Sequence, residues 1–196
     1  MPLSNWSKPL YFVFDVESVG LHGEGFAVGW VVVDAEGNEH ASACYACLPY
    51  LAWGKTPSDE DRAWVAEHVP VPHMGYNCSC PKHVREEFCR AWQFARGKGV
   101  TLVSDCPWPV EARFLATCVD EGLLAPQEWP YPLLDVASAR LAAGLDPLDS
   151  GERLSREVPQ HNPLCDARQS ARLLVEALNV KVHLTQRLER CERDSV

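Results

Sequence analysis

Nothing in this chain constrains its fold more than the stretch Tyr11-Phe12-Val13-Phe14-Asp15-Val16-Glu17-Ser18. It is an aromatic and β-branched run that ends in two acids one residue apart. In a strand, alternate side chains share a face, which groups Tyr11, Val13, Asp15 and Glu17 against Phe12, Phe14 and Val16. A strand that is apolar on both faces is usually central and buried. Asp15 and Glu17 then project together from the end of a core strand, with Cα atoms roughly 7 Å apart at the usual rise per residue. Two carboxylates held that close repel each other unless a cation lies between them.

The rest of the chain is read around that strand. Phe26 to Asp34 and His40 to Leu48 are expected to form two more strands, joined through the turn Ala35-Glu36-Gly37-Asn38, to complete an antiparallel meander. Asp59 to His68 is predicted as a helix with Ser58 as its N-cap and three acids in its first turn. A second helix is expected over Pro81 to Gly97, a strand over Val100 to Ser104, and a third helix over Val110 to Glu121. Pro130 to Ala137 reads as another buried strand and Ala137 to Ala143 as a short helix. After a polar loop from Gly144 to Gln160, a long helix starts at Pro163 with Asn162 as N-cap. The tail from Lys181 to Val196 is charged and expected to fray. A hairpin meander followed by alternating helices and strands implies an α/β layer structure with a mixed sheet.

With 196 residues, 46% of them hydrophobic, the chain can bury one core, and a single domain is expected over 1–196. No apolar run approaches transmembrane length, and Met1 to Trp6 lacks the pattern of a signal peptide, so a cytoplasmic protein with no membrane partner is expected. The nine cysteines are scattered and odd in number, which favours free thiols over a disulfide framework. Cys44-Tyr45-Ala46-Cys47 and Cys78-Ser79-Cys80, with His73 and His83 nearby, invite a zinc reading. Residues three apart on a strand point to opposite faces, however, and the second spacing is one short of the usual structural pair. Buried inert thiols are the better reading. A net charge of −9 excludes a broad basic face for duplex nucleic acid, but not a site whose divalent ions supply the positive charge.

Acids stand at three further places. Asp105 directly follows the strand ending at Ser104. Glu111, in the first turn of the third helix, aligns with Phe114, Leu115 and Cys118 on its inward face, a costly position for an unpaired charge. His161 and Asp166 bracket the start of the last helix. Taken singly, each has an ordinary reading: a surface strand end, a helix-dipole partner, a cap. Taken together, the order is Asp-x-Glu on the first strand, an acid after a middle strand, then His-x-x-x-x-Asp at a late helix start.

That conjunction resembles the DEDDh 3′→5′ exonucleases, the group that includes ribonuclease T, oligoribonuclease and polymerase proofreading subunits. The resemblance covers roughly Tyr11 to Leu178 and implies a ribonuclease H-like fold. Asp15 and Glu17 match the first motif, and His161 with Asp166 the third. At the second motif, Glu111 holds the register where the group has Asp, while Asp105 holds the strand end, where many members carry Asn. Register and inward facing favour Glu111 as the third carboxylate; residue type favours Asp105. Pro163 also replaces the small residue common two after the histidine.

The resemblance implies two divalent cations, Mg²⁺ or Mn²⁺, held by Asp15, Glu17, Asp166 and either Glu111 or Asp105, with His161 as general base. The implied reaction is release of nucleoside 5′-monophosphates from the 3′ end of single-stranded RNA or DNA. Trp108, Phe14 and His22 are candidates for contact with terminal bases. A homodimer is a further expectation, because such relatives commonly dimerise and seven tryptophans leave apolar area for an interface. The alternatives are a binding module with a lapsed catalytic site, or an endonuclease or nucleotide phosphohydrolase on the same scaffold.

Overall fold

The computed structural model describes residues 9–54 and 57–193, with side chains as far as residue 180. The stretch Met1 to Trp6, read above for a leader, lies outside the described residues, as does the end of the charged tail. Five strands form one mixed sheet in the order β3-β2-β1-β4-β5. The first three, β1 (Leu10–Ser18), β2 (Gly25–Asp34) and β3 (Glu39–Ala46), make the expected antiparallel meander. Strands β4 (Thr101–Ser104) and β5 (Leu133–Asp135) add to the other side of β1 in parallel. The helices are α1 (Asp59–His68), α2 (Pro81–Arg96), α3 (Val110–Asp120), α4 (Val136–Ala142) and α5 (Pro163–Arg193). This is the mixed, helix-flanked sheet of a ribonuclease H-like fold.

The alternation along β1 divides the core in two. Phe12, Phe14 and Val16 pack on one face with Phe88 and Trp92 of α2 and Phe114 of α3. Phe12 lies edge-on to Phe88, with ring centroids 5.9 Å apart, and Phe88 is edge-on to Phe114 at 5.2 Å. Val13, on the other face, joins Val31, Val103, Val136 and the α5 residues Ala167, Ala171 and Leu174. One strand therefore carries two packed layers, and its acids emerge where both layers end.

The start of α5 comes very close to the sheet, and a glycine permits it. A Cβ built on Gly29 of β2 would lie 2.1 Å from the Leu164 nitrogen and 2.2 Å from the Pro163 carbonyl carbon. Gly29 is the register partner of Asp15. The missing side chain thus sets the first turn of α5 beside the acidic strand.

Two expectations are corrected. The segment from Pro130 to Ala137 is not a buried strand: only Leu133–Asp135 pairs, at the sheet edge, and Leu134 is 43% exposed. Pro130 and Pro132 have no N–H to donate, and Asp135 already turns to cap α4, accepting from the Ala137 and Ser138 amides at 3.0 and 3.3 Å. Asn162 does not cap α5 through its side chain. It is buried with its side-chain oxygen unpartnered, and its main-chain carbonyl accepts the Asp166 N–H at 2.9 Å. The Ser58 cap does form, as a reciprocal box in which Ser58 Oγ accepts the Asp61 amide and Asp61 accepts the Ser58 amide.

Candidate metal centre

The acids gather at the carboxyl ends of the parallel strands β1 and β4, where the starts of α3 and α5 converge. Among the described residues, Glu17, His161 and Asp166 are the group of three metal-ligating side chains whose donor atoms all lie within 4.8 Å of one another. His161 Nδ1 is 4.0 Å from Glu17 Oε1. The histidine backbone is left-handed, with φ of 60°, a conformation uncommon outside glycine. It is held by a hydrogen bond from its own N–H to Asp166 Oδ2 at 2.9 Å. The five-residue spacing of His161 and Asp166 therefore has a local purpose: the aspartate closes the turn that presents the ring.

Glu111 reaches the same place from α3. It is buried, and its Oε1 accepts the Val16 N–H at 3.3 Å, a contact between the helix start and the strand segment separating Asp15 from Glu17. Asp105 is half-buried beyond the end of β4 and faces Asp135 and Arg140 as well. Glu111 raises the Asp15 pKa more than Asp105 does. Glu111 is thus tied directly to the acidic strand, while Asp105 also faces the charges of Asp135 and Arg140.

The electrostatics record the crowding. Desolvation, then the neighbouring Glu17, Glu111, Asp166 and Asp105, pushes the Asp15 carboxyl well above its ordinary range. Desolvation with Asp166 and Glu111 nearby raises Glu17 to about 8. Desolvation lifts Glu111 to about 7, against the hydrogen bond from Val16. Desolvation also raises Asp166, although Arg153 donates a hydrogen bond to its Oδ1 and opposes that rise. Carboxylates packed this closely resist ionising together unless a cation offsets their charge. A hard, oxygen-rich set of this kind could hold a divalent cation, with Asp15, Glu17, Asp166 and Glu111 as candidate donors.

Beside Glu17 opens a cleft of about 310 Å³, walled by Leu21, Trp64 and Val110 and edged by Ser18 and Asp61. Trp64 of α1 is 44% exposed and meets the His161 ring edge-on, with centroids 5.0 Å apart; its other neighbour is His68, stacked at 4.8 Å. The aromatics named from sequence lie elsewhere. Phe14 has no exposed surface and is a core residue, which removes it as a base platform. Trp108 is 75% exposed on the loop before α3. His22 lines a second cavity, of about 270 Å³, with Arg85 and Arg113; Val110 borders both cavities. Trp64 and Leu21 were not singled out from sequence. The available signal was the spacing of Trp64 and His68, which places both rings on one face of α1.

The cysteines form no comparable group among the described residues. The eight described cysteines are free, and burial pushes Cys44 and Cys47 to about 12 and Cys78 to about 11, as expected of inert thiols.

The mixed sheet and its flanking helices define a ribonuclease H-like fold. Among solved structures it is similar to a moderately thermophilic exonuclease I from Methylocaldum szegediense, with a TM-score of 0.58 and 17% identity over 87% of this chain. The E. coli exonuclease I–single-stranded DNA complex in its zinc-bound form gives 0.58 and 11% over 94% of this chain. A further exonuclease I structure, described as suggesting how processivity is achieved, gives 0.55 and 12% over 88%. The chain spans 42–43% of the length of these proteins. No family model matches the sequence, and no curated protein matches it. The likeness is one of fold.

Proposed function

We propose that the protein is a divalent-metal-dependent 3′→5′ exonuclease of the DEDDh type, acting on single-stranded RNA or DNA and releasing nucleoside 5′-monophosphates. The observation that carries the reading is the convergence of Asp15, Glu17, Glu111 and Asp166 with one histidine at the mouth of a base-sized cleft. The fold shared with exonuclease I supports it.

Divalent ions held by these carboxylates would neutralise the scissile phosphate and lower the cost of forming the attacking hydroxide. The chain's own groups then have separable tasks. Asp15 and Glu17 offer oxygens from one strand face, Asp166 from α5 and Glu111 from α3, so four donors are fixed by three packed elements. His161, half-exposed beside Glu17, takes the proton of the attacking water. The Trp64 edge and the Asp166 hydrogen bond to the His161 amide hold that ring in place. The terminal base fits the cleft between Leu21, Val110 and Trp64, where stacking tolerates any base.

The experiment compares single-stranded oligonucleotides with free and with blocked 3′ termini. Stepwise shortening of the free-ended strand alone is expected. Equal cleavage of both would make the protein an endonuclease.

A further inference from the structure

We infer that Arg153 is a built-in competitor for the metal centre: its guanidinium holds Asp166 in the metal-free protein and gives way when a divalent ion binds. The inference rests on the metal-binding part of the function proposed above, and concerns what sets the affinity of that site.

Among the described residues, Arg153 is the one lysine or arginine in ion-pair contact with Asp15, Glu17, Asp105, Glu111 or Asp166. Its Nη1 donates to Asp166 Oδ1 and, at 2.7 Å, to the main-chain carbonyl of Glu157. Asp166 Oδ2 already accepts the His161 amide, so both oxygens of this donor are engaged. A divalent ion on Oδ1 would stand within a few ångströms of the guanidinium. At that range two cations repel each other even with solvent screening. The two cations therefore compete for Asp166.

This contact is built rather than incidental. Arg153 belongs to the segment before α5, and that segment is strapped to the helix along its length. Gln169 donates to the Ser150 carbonyl at 3.1 Å, and Arg172 donates to the Glu152 carbonyl at 3.2 Å. Arg172 also grips the Glu157 carboxylate with a forked pair at 2.8 and 2.9 Å. Glu157 is fully buried and accepts the Leu154 amide as well, which closes the turn just after Arg153. A segment held to α5 at Ser150, Glu152 and Glu157 delivers one guanidinium to one candidate metal ligand. The strap also gives the cluster a counter-charge while the ions are absent, at the expense of metal affinity.

The test measures Mn²⁺ binding by calorimetry, without substrate, for the full chain and for Arg153→Met. Removing the competitor should tighten Mn²⁺ binding by about tenfold, within the usual range of coupling between two ligands of one site. Equal or weaker binding by the variant overturns the inference and leaves the metal site standing. Absence of binding by both proteins overturns the two together. Because the substitution could also loosen the fold, the wild-type chain supplies a second readout. The Arg153 side-chain signal in a ¹⁵N NMR spectrum should shift on saturation with Mg²⁺; a signal that stays in place contradicts displacement.

Discussion

Removing divalent ions should make this protein less stable as pH rises from acid to neutral, the reverse of what salt-bridged carboxylates do. The glutamates at 17 and 111 have folded pKa values of about 8 and about 7, against about 4.5 for an unfolded glutamate. Between those limits the native state binds more protons than the unfolded state, so unfolding free energy falls with pH. The stability is full below about pH 4.5 and is lost as pH passes through the folded values. For Glu17 alone, a rise from about pH 5 to about pH 7 costs on the order of 2 kcal/mol, at 1.36 kcal/mol per unit. For a chain of this size that is a drop in Tm of roughly 5 °C. The assay is scanning calorimetry in chelator across that range, repeated with saturating Mg²⁺. The ion should restore most of the loss at neutral pH and little at acid pH, where the carboxyls are protonated. Glu17→Gln should raise the metal-free Tm at neutral pH and blunt the response to Mg²⁺. A metal-free Tm that is flat or rises with pH would refute the reasoning, as would a Mg²⁺ effect independent of pH.

Other consequences follow from single residues. Gly29→Ala places a Cβ against the backbone of Pro163 and Leu164, so α5 must shift. A loss of roughly 1–3 kcal/mol is expected, together with weaker Mn²⁺ binding as Asp166 moves away from Asp15; an unchanged Tm and affinity would contradict this placement of the helix start. Trp64→Ala removes a half-exposed wall of the cleft and should raise KM for single strands by about tenfold, given roughly 1–3 kcal/mol per stacked base. An unchanged KM would mean that the base lies elsewhere.

How much of this was legible in the sequence differs from element to element. The period-two alternation of β1 correctly divided Phe12, Phe14 and Val16 from Val13, and placed Asp15 and Glu17 together at its end, because both faces of that strand are buried and the pattern is unambiguous. The same alternation allowed Phe14 a core place as well as a base contact, and burial of both faces of β1 decides for the core. Glu111 was readable as an inward-facing acid from the 3.6-residue period of α3, but its hydrogen bond to Val16 depends on a helix–strand packing that no local pattern encodes. Gly29 gave no signal within its own strand, because the reason for it is a helix start more than a hundred residues later. Arg153 lies in a segment with no periodicity, and its role appears only once Glu157, Gln169 and Arg172 fasten that segment to α5. Local chemistry was readable where one element decides it, and was hidden where two distant elements meet.

The acidic pair at the end of β1 acts only through its partners, Asp166, Glu111 and His161. The most direct measurement is a time course on labelled single-stranded RNA and DNA with free 3′ ends, in Mg²⁺, in Mn²⁺ and in chelator, with His161→Ala run in parallel. Nucleoside 5′-monophosphates should be released stepwise from the 3′ end with either ion and not in chelator, and the histidine variant should lose most turnover while Mn²⁺ binding persists. Hydrolysis that continues in chelator, or full activity without His161, would contradict the proposed function.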